Sequence, residues 1–131
     1  MAESLDQIVR ELAGHRCEYC LMPEGNRRIS FVLDHVIARQ HGGLTVLANL
    51  ALCCPRSNQS KGPNIAGIDP ESGRLTRLFH PREDLWRTHF RYQTTTLIGL
   101  TDVGRATITV LAINLPLRIE ARLSMYEAGL F

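Results

Sequence analysis

A chain of 131 residues with 44% apolar and 21% charged side chains and a formal net charge of +2 has the usage of a folded domain, which excludes intrinsic disorder and a strongly polybasic nucleic-acid binder. The longest unbroken apolar run, Leu50–Cys54, is five residues, against the roughly 18 a membrane span requires. The first residues, MAESLDQIVREL, are acidic and amphipathic with no basic stretch leading into an apolar one, so a cytoplasmic protein with no membrane partner is expected.

In chain order, Ser4 is placed to cap a short helix running to about Ala13, with Leu5, Ile8, Val9 and Leu12 at helical spacing. Residues 17–28 read as a loop, broken by Pro23 and Gly25. Ile29–Leu33 is β-branched and aromatic, a strand that delivers Asp34 and His35 at its end. A loop over Arg39–Thr45, an apolar stretch around Asn49 with a second short strand or turn near Leu52, and a short helix from Ser57 stopped by Gly62-Pro63 follow. Residues 64–74 are turn-rich, and Arg74–Phe79 alternates like a strand. Phe90–Gln93 and Thr96–Leu100 form the arms of a hairpin; Thr101 with Asp102 opens a helix to about Ile113, and Pro116 opens a last one to about Ala128. The sum is an α+β chain.

Four cysteines in a chain of this kind point to metal chemistry before disulfides. Cys17 and Cys20 form a C-x-x-C, whereas Cys53 and Cys54 are adjacent, and neighbouring cysteines rarely both reach one partner site. Lys61 is the only lysine among 15 cationic side chains; arginine is the cation suited to bidentate phosphate contact, and a GC-rich coding sequence produces the same bias.

Four motifs stand in order: C17-E-Y-C20, F31-V-L-D34-H35-V-I, G42-G43-L-T-V-L-A-N49-L and C54-P-R-S57-N58-Q-S-K61-G62. Together they resemble the HNH endonuclease family. The resemblance covers residues 17–62 and implies a ββα-metal core, a hairpin packed on one helix with a cation between them. A single nuclease domain over 1–131 is expected, with that core at 17–62 and a C-terminal extension of a β-hairpin and two helices at 74–131. The strand would give way to a loop at Asp34-His35, since successive side chains on a regular strand face opposite ways.

Phosphodiester hydrolysis needs a deprotonated water, neutralised phosphoryl oxygens and a stabilised leaving oxygen. An imidazole titrating near pH 6.5 suits the first task, and His35 is the candidate general base. The resemblance makes Asp34 and Asn58 ligands of a catalytic Mg²⁺ or Mn²⁺, whose natural donors are oxygens. It gives Asn49 a supporting role, bridging the loop and orienting the histidine. Arg39, Arg56 and Lys61, with Arg27 and Arg28, flank this group and are placed to contact the phosphates of nucleic acid, DNA foremost, without reading bases.

The same resemblance assigns Cys17, Cys20 and Cys54 to a structural Zn²⁺, with Ser57 where a fourth thiolate is expected. A serine hydroxyl is a poor zinc ligand, and Cys53, His15 and His41 remain open as alternatives, as does a protein without zinc. Ser60 stands where many close relatives carry His. These two serines support an alternative function, a catalytically weakened zinc-type nucleic-acid-binding module of the same fold. Monomer and homodimer both suit the sequence. Trp86 is expected to anchor the core or the hairpin.

Overall fold

The structure, a computed structural model, describes residues 3–25 and 30–131. The Arg27–Arg28 pair and the expected strand start at Ile29 lie outside the described residues. The fold is α+β, built from three two-stranded antiparallel sheets and five α-helical segments.

Helix α1 (Leu5–Leu12) starts as expected: Ser4 Oγ accepts from Gln7 N at 3.2 Å, and Gln7 Oε1 accepts from Ser4 N at 3.1 Å, a reciprocal capping box. Of its apolar stripe only Val9 is fully buried, while Leu5 and Leu12 stay exposed.

Strand β1 (Val32–His35) pairs with β2 (Leu50–Cys53), setting Asp34 opposite Ala51 and His35 opposite Leu50. This corrects the expected boundaries, because the strand starts later than Ile29–Leu33 and runs through the Asp-His pair. The ladder is prolonged by Val36 N donating to Asn49 O at 2.9 Å, which holds the pair in extended backbone. Helix α2 (Pro55–Lys61) follows at once. Pro55 occupies its first turn, Cys54 Sγ accepts from Ser57 N at 3.4 Å as the cap, and Gly62 at φ +51° ends it.

The turn-rich stretch contains an unexpected strand, β3 (Ala66–Ile68), paired with β4 (Leu75–Arg77). A single helical turn, α3 (Trp86–His89), leads into β5 (Phe90–Gln93) and β6 (Thr96–Gly99), the expected hairpin. Helix α4 (Asp102–Val110) stops short of Ile113: Ala112 turns left-handed at φ +52°, and Ile113 N returns to Ile108 O at 3.1 Å. Helix α5 (Pro116–Glu127) closes the chain.

One core of buried side chains joins these parts, from Val9 and Phe31 through Leu50 and Leu52 to Phe79, Phe90, Leu97 and Ile113. Trp86 anchors the hairpin as expected, donating Nε1–H to Tyr19 O at 2.9 Å and stacking on Tyr92. The β3–β4 turn is latched to α4 by Asp69, whose carboxylate accepts from Arg105 at 2.8 and 3.0 Å and from the amides of Glu71 and Ser72.

Arg105 and these amides hold the Asp69 carboxyl well below the usual carboxylate range. A depressed folded pKa contributes stability that is present above the unfolded value near 3.9 and lost as pH falls toward the folded one. The Asp69→Asn variant should therefore unfold at lower urea than the parent at pH 7. The gap should close progressively below pH 4 in urea titrations; a gap independent of pH contradicts the latch.

Candidate functional site

The C-x-x-C turn is pinned to β2 by backbone and side chain together. Glu18 N donates to Leu52 O at 2.9 Å, Leu52 N donates back to Glu18 Oε2 at 2.8 Å, and Arg82 pairs with the other Glu18 oxygen. This lays Cys17 and Cys20 against Cys54 at the start of α2. The three sulfurs lie within 4.8 Å of one another, all buried, with Cys20 and Cys54 3.7 Å apart. A tetrahedral zinc with Zn–S bonds of about 2.3 Å holds its sulfurs about 3.8 Å apart, so three donors fit that ion. Among the described residues His15 and His41 are exposed and, like Cys53, do not join the group.

Ser57, where the sequence places a fourth ligand, is completely buried and accepts from Arg118 Nη2 at 2.7 Å. Burial before anything else pushes the Cys17 thiol well up, and contacts with Cys17 and Cys54 push Cys20 up. Hydrogen bonds from Cys17 and Cys20 pull Cys54 far down.

Tyr19, inside the same turn, donates its hydroxyl to Asp34 Oδ2 at 2.8 Å. Lys61, at the last turn of α2, is 0% exposed, and its ammonium meets Asp34 at 3.2 and 3.3 Å and the carbonyls of His35 and Val36 at 3.3 and 3.1 Å. Its hydrogens are spent inside the protein, so the expectation that Lys61 touches phosphate is corrected. Burial raises the Asp34 carboxyl above its ordinary range, against the opposing pull of Lys61 and Tyr19.

His35 is half-buried, and its Nε2 lies 2.8 Å from Thr45 Oγ1. Asn49 is buried and spans the loop between β1 and β2. Its Oδ1 accepts from Ile37 N at 2.8 Å, and its Nδ2 donates to Ile37 O and to Leu44 O, both at 2.9 Å. By fixing Leu44 it sets the position of Thr45, the next residue. The expected bridging is therefore present, but the contact to the imidazole comes from Thr45. The loop closes so tightly that a Cβ on Gly43 would sit 1.7 Å from Ile37 O, which only glycine avoids.

Asp34, His35 and Asn58 border one open depression of about 340 Å³, together with Leu33, Ala38, Arg39, Gln40, Gly62 and Pro63. β1 belongs to a sheet of two strands, so one of its edges is free of a partner strand. Neighbouring residues that face opposite ways can both border a space along such an edge. Asn58 is half-buried, and no hydrogen bond engages its side-chain amide among the described residues. Arg39 and Arg56 are exposed. A larger cavity, about 460 Å³, is bordered by Arg77, His80, Glu83 and Asp84. Those groups are already committed, Arg77 to Asp84 at 2.7 Å and His80 to Glu83 at 3.2 Å.

The Asp34 carboxylate retains acceptor capacity beyond Tyr19 and Lys61, since two ionised oxygens offer about four lone-pair positions. With the unengaged Asn58 amide beside the same open space, the donors suit a hard divalent cation. Tyr19, Thr45 and Arg118 escaped sequence reasoning. Tyr19 lies within a motif whose cysteines draw the attention, and the other two carry no motif signal.

Residues 17–64 match the family model for HNH endonuclease. No curated protein and no solved structure matches the chain.

Replacing Asn49 by Ala leaves the Ile37 amide without its acceptor and two carbonyls without their donor. The variant should lose about 1–3 kcal/mol of stability, and the Ile37 amide should exchange its hydrogen faster in NMR. Unchanged exchange contradicts the bridge.

Proposed function

We propose that the protein is a metal-dependent HNH endonuclease that hydrolyses phosphodiester bonds of DNA in the depression bordered by Asp34, His35 and Asn58. The observation that carries this reading is the convergence of a carboxylate, an imidazole and an unengaged amide on one open space, within a stretch that matches the HNH family.

His35 is the general base. In the tautomer whose Nε2–H donates to Thr45 Oγ1, 2.8 Å away, Nδ1 is the basic nitrogen and takes a proton from water as its oxygen attacks phosphorus. Thr45 thus holds the tautomer, and Asn49 holds Thr45. Arg39, exposed at the rim, and Arg56 pair with flanking phosphates. Asp34 and Asn58 would hold Mg²⁺ or Mn²⁺, which would supply charge neutralisation at the phosphoryl and leaving oxygens. Lys61 keeps the Asp34 carboxylate in place and favours its charged form against the effect of burial. Cys17, Cys20 and Cys54 would hold a structural Zn²⁺, which would staple the C-x-x-C turn to α2.

The second reading, a nucleic-acid-binding module without catalysis, draws on Asp34, whose two oxygens already serve Lys61 and Tyr19. DNA retention with no cleavage across divalent metals favours it.

In a plasmid assay with Mg²⁺ or Mn²⁺, His35→Ala should cut nicking by about 100-fold or more while gel-shift affinity for DNA is kept; cleavage equal to the parent overturns the assignment. Thr45→Val should lower kcat by about ten-fold, a part of that base contribution, with KM unchanged. An unchanged kcat removes Thr45 from the mechanism.

A further inference from the structure

Helix α5 carries two buried arginines one turn apart. Arg118 is 6% exposed and Arg122 is 0% exposed. Neither forms an ion pair with any carboxylate among the described residues. Arg122 donates to Thr95 O at 3.0 Å and to Asn114 Oδ1 at 3.3 Å, lies over the Tyr92 ring, and leaves its Nη1 with no partner. Tyr92 in turn donates its hydroxyl to Cys20 O. Arg118 spends Nη1 on the carbonyls just past the end of α4, Leu111 at 2.7 Å and Ala112 at 3.1 Å. Its Nη2 reaches Ser57 Oγ at 2.7 Å and Cys54 Sγ at 3.7 Å.

A guanidinium stays charged in a protein interior, and a buried charge without a counter-ion is strongly unfavourable. Among the described residues, the group that Arg118 touches and that can carry negative charge is the cysteine cluster, through Cys54 Sγ at 3.7 Å. A zinc ion held by three thiolates has a net charge of −1, whereas four thiolates would give −2.

We propose that Arg118 is the counter-ion of a three-thiolate zinc centre on Cys17, Cys20 and Cys54, standing with Ser57 at the corner where a fourth cysteine would otherwise close the site. The proposal rests on the zinc reading above and adds two consequences. Charge neutrality at the centre comes from an arginine 61 residues beyond Ser57, and metal binding is coupled to the seating of α5. Serine at position 57 then belongs to the arrangement, because its oxygen accepts the guanidinium and leaves room for it.

The test uses the full chain, with zinc content by elemental analysis, Co²⁺ titration followed by its thiolate-to-metal charge-transfer absorption, and zinc affinity by chelator competition. The parent should bind one zinc and show a cobalt spectrum of three thiolates. Arg118→Gln should keep that spectrum and weaken zinc binding by about 10–100-fold, as loss of an outer-shell partner does. Unchanged zinc affinity in Arg118→Gln overturns the counter-ion while leaving the zinc reading intact. A parent that binds neither zinc nor cobalt through its cysteines ends the zinc reading itself. Should Arg118→Gln not fold, the parent alone decides: chelation should accelerate hydrogen exchange of the Arg118 and Ile119 amides at the start of α5, and no acceleration overturns the coupling.

Discussion

The buried Lys61 ammonium is the joint on which the site's geometry depends. Projecting from the last turn of α2, it meets Asp34 and the carbonyls of His35 and Val36, while Tyr19 from the cysteine knuckle meets the same carboxylate. Three segments distant in sequence are tied at one point. An ammonium and a carboxylate removed from water gain from pairing only when geometry is good and further hydrogen bonds satisfy what remains. Here two carbonyls and a phenol do that work. The cost of separating such a pair makes the relative placement of β1, α2 and the knuckle stiff, and the depression beside His35 inherits that stiffness.

A second constraint acts at the other end of α2. Cys54 caps the helix with its sulfur and belongs to the three-sulfur cluster, so the helix start and the candidate metal centre share one side chain. Arg118 links that point to the carbonyl end of α4. The C-terminal helices are therefore joined to the stretch that matches the HNH family by polar contacts in addition to apolar packing. The two ends of α2 are held by opposite means: a buried cation at its C-terminus, buried sulfurs at its N-terminus.

Much of this was legible in the residues. The cap at Ser4, the hairpin over residues 90–99 and the stop at Gly62 follow from local rules of capping and turn chemistry, which need only neighbours in the chain. The motif order located the depression and its three polar groups. What escaped was set by distance. Lys61 in a basic motif reads as a phosphate contact until its burial against Asp34 is seen, since only the fold decides which face of a short helix is inward. Arg118 lies in a helix with no motif, and its partners come from two other segments. The strand carrying Asp34-His35 was expected to break there; the free edge of a two-stranded sheet made that break unnecessary. Thr45, in place of Asn49, meets the imidazole because Asn49 is fully engaged by loop backbone.

The proposed function requires a divalent cation to enter the depression beside His35 while Lys61 holds Asp34 at its wall. Paramagnetic broadening by substoichiometric Mn²⁺ in NMR of the full chain tests this directly. The side-chain amide of Asn58 and the ring of His35 should broaden first, ahead of exposed carboxylates such as Glu71 and Glu83. Broadening that spares Asn58 and His35 would contradict it.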